Sequence, residues 1–127
     1  MRQGKAPIIY GNGEQTRDFI HVQDVAKIIH SMVNAGISFQ FSEANVCSGE
    51  RYSLLDLVNC MNQLLIEKGI INNPIKPEFK SARDGDIIDS QGDNHRIKTI
   101  LGMSIRRNFI QGISEIIDCN YNQRDSR

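Results

Sequence analysis

The segment from Tyr10 to Val25 constrains this chain more than any other. It reads Tyr10-Gly11-Asn12-Gly13-Glu14-Gln15-Thr16-Arg17-Asp18-Phe19-Ile20-His21-Val22-Gln23-Asp24-Val25. A glycine turn, a fixed positive charge, a short apolar stretch and a helix start follow one another without a spacer. Asn12-Gly13 supplies the positive φ angles of a tight turn, which predicts a hairpin between Pro7–Tyr10 and Arg17–His21. From Val22 the apolar period becomes helical. Val22, Val25, Ala26, Ile29, Met32 and Val33 share one face of a helix expected over Val22–Ala35, with Gln23, Lys27, His30 and Asn34 turned to solvent and Gly36 as the stop.

The remainder reads as short elements separated by polar turns. Glu43–Val46 is expected as a brief strand, followed by a Cys47-Ser48-Gly49-Glu50 turn. Ser53 is placed to cap a helix, its hydroxyl accepting from the Asp56 amide while the Asp56 carboxylate reaches back. Leu54, Leu57, Val58, Met61, Leu64 and Leu65 form the apolar face of that helix, which ends near Gly69. Asn72-Asn73-Pro74 breaks the chain. Ile75–Phe79 suits an edge strand, because Pro77 cannot donate to a ladder. Ser81–Gly92 is a polar loop containing Arg83-Asp84-Gly85-Asp86. Asp93 or Asn94 caps a short helix through Ile97, Ile100 and Leu101 that Gly102 closes. A last helix around Asn108–Cys119 buries Phe109, Ile113, Ile116 and Ile117, and the tail Asn120–Arg127 is polar and frayed. With no repeat or linker, residues 1–127 read as one α/β unit.

Bulk properties remove several functional classes. At 39% apolar and 24% charged, the 127 residues suit a globular chain. Fifteen basic residues balance fifteen acidic ones, so no net field draws nucleic acid or an acidic membrane. No apolar run approaches the ~20 residues of a membrane helix, nor does a signal core follow Met1. Cys47, Cys60 and Cys119 are scattered without a C-x-x-C pair, which fits a reducing cytoplasm. His21, His30 and His95 share no ligand spacing, so no metal site is expected.

Two clusters carry candidate chemistry. Arg17 keeps its charge at any working pH, and its planar fork matches two phosphate oxygens at once. The plain alternative is a surface ion pair with Asp18 or a neighbouring carboxylate, of little energetic weight. Arg83 and Asp86 lie in Arg-Asp-Gly-Asp, where an arginine can take phosphate oxygens and a carboxylate can accept from sugar hydroxyls. The plain alternative there is a solvated turn rich in Asp and Gly.

These clusters belong to an ordered set: Gly13 to Phe19, Val22 to Val25, Asn45 to Glu50, Ser53-Leu54, Arg83 to Asp86, Gly92-Asp93 and Leu101-Gly102-Met103. In that order and separation the set resembles the carboxyl-terminal region of the nucleotide-sugar epimerases and dehydratases, extended short-chain dehydrogenases/reductases of the UDP-glucose 4-epimerase kind. The resemblance covers nearly the whole chain. It implies a small substrate-binding lobe of α+β character, plus a helix and strand that normally complete the Rossmann sheet of a cofactor domain. By the same resemblance, Arg17 and Arg83 clamp the diphosphate of a nucleoside diphosphate sugar, Asp86 contacts the ribose, and Ile8 and Tyr10 lie beside the nucleobase.

Departures from the family pattern are equally specific. Cys47 stands where glycine is usual and would crowd a tight turn, and Met103 stands where tryptophan is frequent. No Gly-x-x-Gly-x-x-Gly fingerprint, Tyr-x-x-x-Lys pair or partner Ser/Thr occurs, so no catalytic residue is expected in this chain. NAD(P) is the cofactor the resemblance implies for full-length members, with none bound by this chain alone. The leading expectation is therefore nucleotide-sugar recognition without catalysis. A stand-alone module that complements a separate cofactor domain, in cis or in trans, is the alternative; a truncated product without function is the third. Without the Rossmann core, the Val22–Ala35 helix and Glu43–Val46 strand leave apolar surface and an edge uncovered, which predicts self-association.

Overall fold

A computed structural model describes residues 1, 4–34, 43–103 and 107–122. Its elements in chain order are β1 (Ile8–Tyr10), β2 (Thr16–Arg17), α1 (Val22–Asn34), β3 (Tyr52–Ser53), α2 (Leu54–Glu67), β4 (Glu78–Lys80), α3 (His95–Leu101) and α4 (Phe109–Asn122). The expected stop at Gly36 and the tail beyond Asn122 lie outside the described residues.

The expected hairpin does not form. β1 pairs in parallel with β4, setting Ile8, Ile9 and Tyr10 against Glu78, Phe79 and Lys80. β2 pairs antiparallel with β3, Thr16 facing Ser53 and Arg17 facing Tyr52. The reason lies in where the turn's polar groups go. The carbonyls of Gly13 and Gln15 accept from Leu55 and Leu54, at 3.1 and 3.3 Å, and so satisfy amides that the first turn of α2 cannot pair internally. Gly13 is held at φ +83°, and a Cβ there would lie 2.9 Å from Leu55 Cγ and Cδ2. The glycine turn thus seats a helix rather than folding one strand onto its neighbour.

Helix α2 begins as the sequence predicts. The Ser53 hydroxyl accepts from the Asp56 amide, and the Asp56 carboxylate accepts from the Ser53 amide. Its Leu64 and Leu65 meet Ile117 of α4, with Cys60, Ile70, Ile71, Ile113 and Tyr121 around them. In α4, Phe109 and Ile117 are buried as expected, but Ile116 is about half exposed, because α2 covers only one edge of the helix. The edge strand starts three residues later than expected, at Glu78, whose amide donates to Pro7 at 2.9 Å.

Helix α1 keeps the predicted period but not the predicted buried face. Val22, Ile29 and Val33 are 72%, 55% and 77% exposed, whereas Ile28 and the charged Asp24 are 2% and 4% exposed. Arg107 makes this burial tolerable: it donates to Asp24 Oδ1 from Nη1 at 2.8 Å, to Gln23 from Nη2 at 2.7 Å, and to both Glu115 oxygens from Nε at 2.8 Å. The apolar stripe read from the sequence is left as an uncovered surface. Glu43–Val46 likewise has no ladder partner among the described residues and is not a strand here, since a strand requires a neighbour to pair its backbone.

Candidate functional site

The site is built outward from β1. Alternation along this strand turns Ile9 into the core and sets Ile8 and Tyr10 on the outer face. Tyr10 is fixed by its register opposite Lys80 and by two further bonds. The Gly11 amide donates to the Lys80 carbonyl at 2.9 Å, and Gln15 Nε2 donates to the Tyr10 carbonyl at 2.6 Å. Beyond Lys80 the chain enters the exposed Arg83–Asp86 turn, in which the Asp86 amide donates to the Arg83 carbonyl. The Arg83 guanidinium carbon lies 3.7 Å over the centre of the Tyr10 ring. Arg83 also holds the Tyr10 hydroxyl below the ordinary tyrosine range, by hydrogen bonding and by its charge.

Arg17 projects from β2 to the same turn. Its Nη2 donates to Asp86 Oδ1 at 2.6 Å, and its Nη1 to the carbonyls of Ile87 and Thr16 at 2.6 and 2.8 Å. The structure therefore brings four of the five predicted residues to one four-residue turn, Arg83 to Asp86: Arg17 of β2 meets Asp86, and Arg83 lies over Tyr10 of β1. Ile8 lies along the strand from Tyr10, about half exposed. Arg17 does have the carboxylate partner of the plain alternative, but that partner is Asp86 rather than Asp18. Both members of the pair are roughly one-third exposed, so its contribution to stability is small.

Asp18 has a separate and more demanding role that the sequence reading missed. Its Oδ1 accepts from the Ser48 amide at 2.7 Å and the Ser48 hydroxyl at 2.6 Å, while Oδ2 accepts from the amides of Gly49 at 2.9 Å and Gly92 at 3.2 Å. Burial alone would raise its pKa, but these four donors outweigh it and leave the carboxyl below its ordinary value. Asp18 thereby ties the Cys47–Gly49 turn to the far end of the Arg83 loop. Thr16 fastens the middle of that loop, its amide donating to Ile88 at 2.8 Å and its hydroxyl to Asp89 at 2.7 Å. Consecutive residues Thr16, Arg17 and Asp18 thus hold one loop at three points. The signal was visible as a Thr-Arg-Asp run, but not the loop to which it binds.

Cys47 does not strain its own turn, because Gly49 takes the left-handed conformation at φ +82°. The crowding expected from its side chain falls on Gly92 instead. A Cβ at Gly92 would overlap Cys47 Sγ and lie 2.8 Å from Cys47 Cβ. On the other side of β3, Tyr52 stacks on Phe109 with ring centres 4.0 Å apart and donates to Glu50 at 2.7 Å. That hydrogen bond, with burial and the nearby carboxylates, pushes the Tyr52 hydroxyl up to about 12.

Among the described residues, no three His, Cys, Asp or Glu side chains gather where a metal could sit, and no helix is long and apolar enough to cross a membrane. A dinucleotide does not fit the one glycine turn that follows β1. That turn leads to β2 rather than to a helix N-terminus, and Leu55 fills the space against Gly13.

Known proteins share both sequence and shape with this chain. It is 29% identical over 116 residues to UDP-glucose 4-epimerase of Mycolicibacterium smegmatis, covering 91% of this chain and 34% of that enzyme. It is 28% identical over 128 residues to dTDP-glucose 4,6-dehydratase of Escherichia coli, covering 96% and 35%. UDP-N-acetylglucosamine 4-epimerase of Methanobrevibacter ruminantium M1, solved in complex with UDP-N-acetylmuramic acid, superposes with TM-score 0.79 at 26% identity, over 95% of this chain and 36% of that one. MoeE5, solved in complex with UDP-glucuronic acid and NAD, superposes with TM-score 0.77 at 27% identity, over 95% and 38%. The chain thus spans little more than a third of the length of these relatives. The match to the family of GDP-mannose 4,6 dehydratase runs over residues 1–116, from before β1 well into α4, and on that extent the chain belongs to this family.

Proposed function

We propose that residues 1–127 form the carboxyl-terminal substrate lobe of an NAD-dependent nucleotide-sugar epimerase or dehydratase, and that the lobe recognises a nucleoside diphosphate sugar, a uridine one by preference. The observation that supports this reading is that two arginines from distant parts of the sequence meet at one loop: Arg83 lies in it, and Arg17 of β2 bonds to its Asp86 and Ile87. Arg17 already grips an anion, the Asp86 carboxylate, so its fork is aimed where negative charge can be received. In the bound state Arg17 and Arg83 each take oxygens of the diphosphate, together offsetting about two charges. Asp86 passes from Arg17 to a ribose hydroxyl, and the Ile8–Tyr10 strand lies beside the base. Such anchoring supplies remote binding energy that holds the sugar in place for reaction elsewhere. The proton and hydride steps require residues and a cofactor that this chain does not carry.

The test is a calorimetric titration of uridine diphosphate into the wild type, Arg17→Ala and Arg83→Ala. Each variant is expected to bind at least about tenfold more weakly, the loss of a charge-assisted pair. Equal affinity in all three would remove the clamp.

The uncovered face of α1 favours a second element of the proposal. Val22, Ala26, Ile29 and Val33 offer an apolar stripe to a cofactor domain, whether in the same polypeptide or in a separate one. In the isolated chain that stripe drives self-association. A monomer at tens of micromolar in sedimentation equilibrium would count against it.

A further inference from the structure

We infer, on the reading of Arg17 and Arg83 as a diphosphate clamp, that the Asp86 carboxylate is an internal competitor of the ligand: it holds the Arg17 fork that a phosphate must take, and so selects against diphosphates that carry no ribose. Both terminal nitrogens of the Arg17 guanidinium are engaged. Nη1 donates to two backbone carbonyls, those of Thr16 at 2.8 Å and Ile87 at 2.6 Å, while Nη2 donates to Asp86 Oδ1 at 2.6 Å. The two carbonyls are fixed, one in β2 and one in a loop that the Thr16 amide fastens through the Ile88 carbonyl. The carboxylate is not. It stands on an exposed turn, closed by the bond from the Asp86 amide to the Arg83 carbonyl and by left-handed Gly85, and its side chain is about one-third exposed. Of the three acceptors on Arg17, Asp86 is the one a ligand can replace.

A phosphate oxygen that arrives at Nη2 exchanges one anionic acceptor for another. Its gain at that nitrogen is offset by the ion pair given up, and the displaced carboxylate is left beside a second negative charge. The cost differs between ligands. An ionised aspartate only accepts hydrogen bonds, so the displaced group needs donors. Ribose hydroxyls supply them, whereas pyrophosphate has no such hydroxyls and brings more charge. A nucleoside diphosphate therefore recovers at Asp86 what it loses at Arg17, and a bare diphosphate does not. Discrimination of this kind comes from a cost set against the wrong ligand as well as from contacts to the right one.

Inorganic pyrophosphate and uridine diphosphate are titrated calorimetrically into the full chain as wild type, Asp86→Asn, Arg17→Ala and the double variant Arg17→Ala/Asp86→Asn. Asp86→Asn keeps the shape of the side chain and removes its charge. It is expected to bind pyrophosphate about two- to fivefold more tightly than wild type, the weight of a part-exposed ion pair. Uridine diphosphate gains nothing or weakens, because its ribose loses a charged acceptor. In the Arg17→Ala background the gain for pyrophosphate falls below about 1.5-fold, since no fork remains to be released. The inference is overturned if Asp86→Asn leaves pyrophosphate unchanged or weaker. It is equally overturned if the gain survives Arg17→Ala, because removal of one negative charge from the loop then accounts for it. An equal gain for both ligands would overturn the selection by ribose. Failure of the clamp itself has a different signature, namely Arg17→Ala binding both ligands as tightly as wild type.

Discussion

Replacing Asp18 tests the packing of this lobe more sharply than replacing either arginine. The carboxylate receives four donors, three of them backbone amides. Hydrogen bonds to a charged group contribute ~1.5 kcal/mol each at the low end, before the desolvation of a half-buried carboxylate is set against them. Water can reach some of the freed amides in Asp18→Ala, so the net loss is about 3–4 kcal/mol. For a domain of this size that lowers the melting temperature by roughly 10–20 °C. Asp18→Asn is the decisive variant. Whichever way its amide is turned, an NH₂ replaces an acceptor and faces a backbone donor, so it loses more than half as much as alanine. Thermal unfolding followed by circular dichroism at pH 7 measures both. Proton linkage adds a second constraint. The folded pKa lies below the unfolded one, so the stabilisation is present above the unfolded value of about 3.9 and fades as pH falls through the folded value. The gap between wild type and Asp18→Ala therefore narrows below about pH 4. An Asp18→Asn chain melting within about 2 °C of wild type at pH 7 would refute the four-acceptor account.

Two other substitutions probe contacts that the sequence did not announce. Gly92→Ala drives a methyl group into Cys47 Sγ and costs about 1–3 kcal/mol; placing glycine at Cys47 as well should recover most of that loss, and additive effects in urea unfolding would show that the two do not touch. Arg107→Ala leaves the Asp24 carboxylate without its charged partner and lowers the urea midpoint, while adding Asp24→Asn recovers part of the loss; no recovery in chemical denaturation would mean that the unpaired charge is not the cause.

Local chemistry was legible from the chain alone. The Ser53–Asp56 capping box, the Gly102 stop of α3, the polar Arg83–Asp86 loop and the helical period of α1 all depend on neighbours within a turn or two, so residue types suffice to set them. Kinship was legible for a related reason, since an ordered series of short motifs survives in sequence even where no single motif is specific. Pairing was not. Asn12-Gly13 carries a hairpin signal, yet its neighbouring carbonyls serve α2, and β1 instead takes a strand that follows almost seventy residues later. Burial of one helix face was not legible either, because periodicity identifies an apolar stripe but not whether anything lies against it. Only the folded chain placed Arg107 over Asp24, set Gly92 against Cys47 and laid Arg83 on Tyr10. Those contacts join residues far apart in sequence, where the partner is chosen by the shape of the whole lobe rather than by the spacing of residues along it.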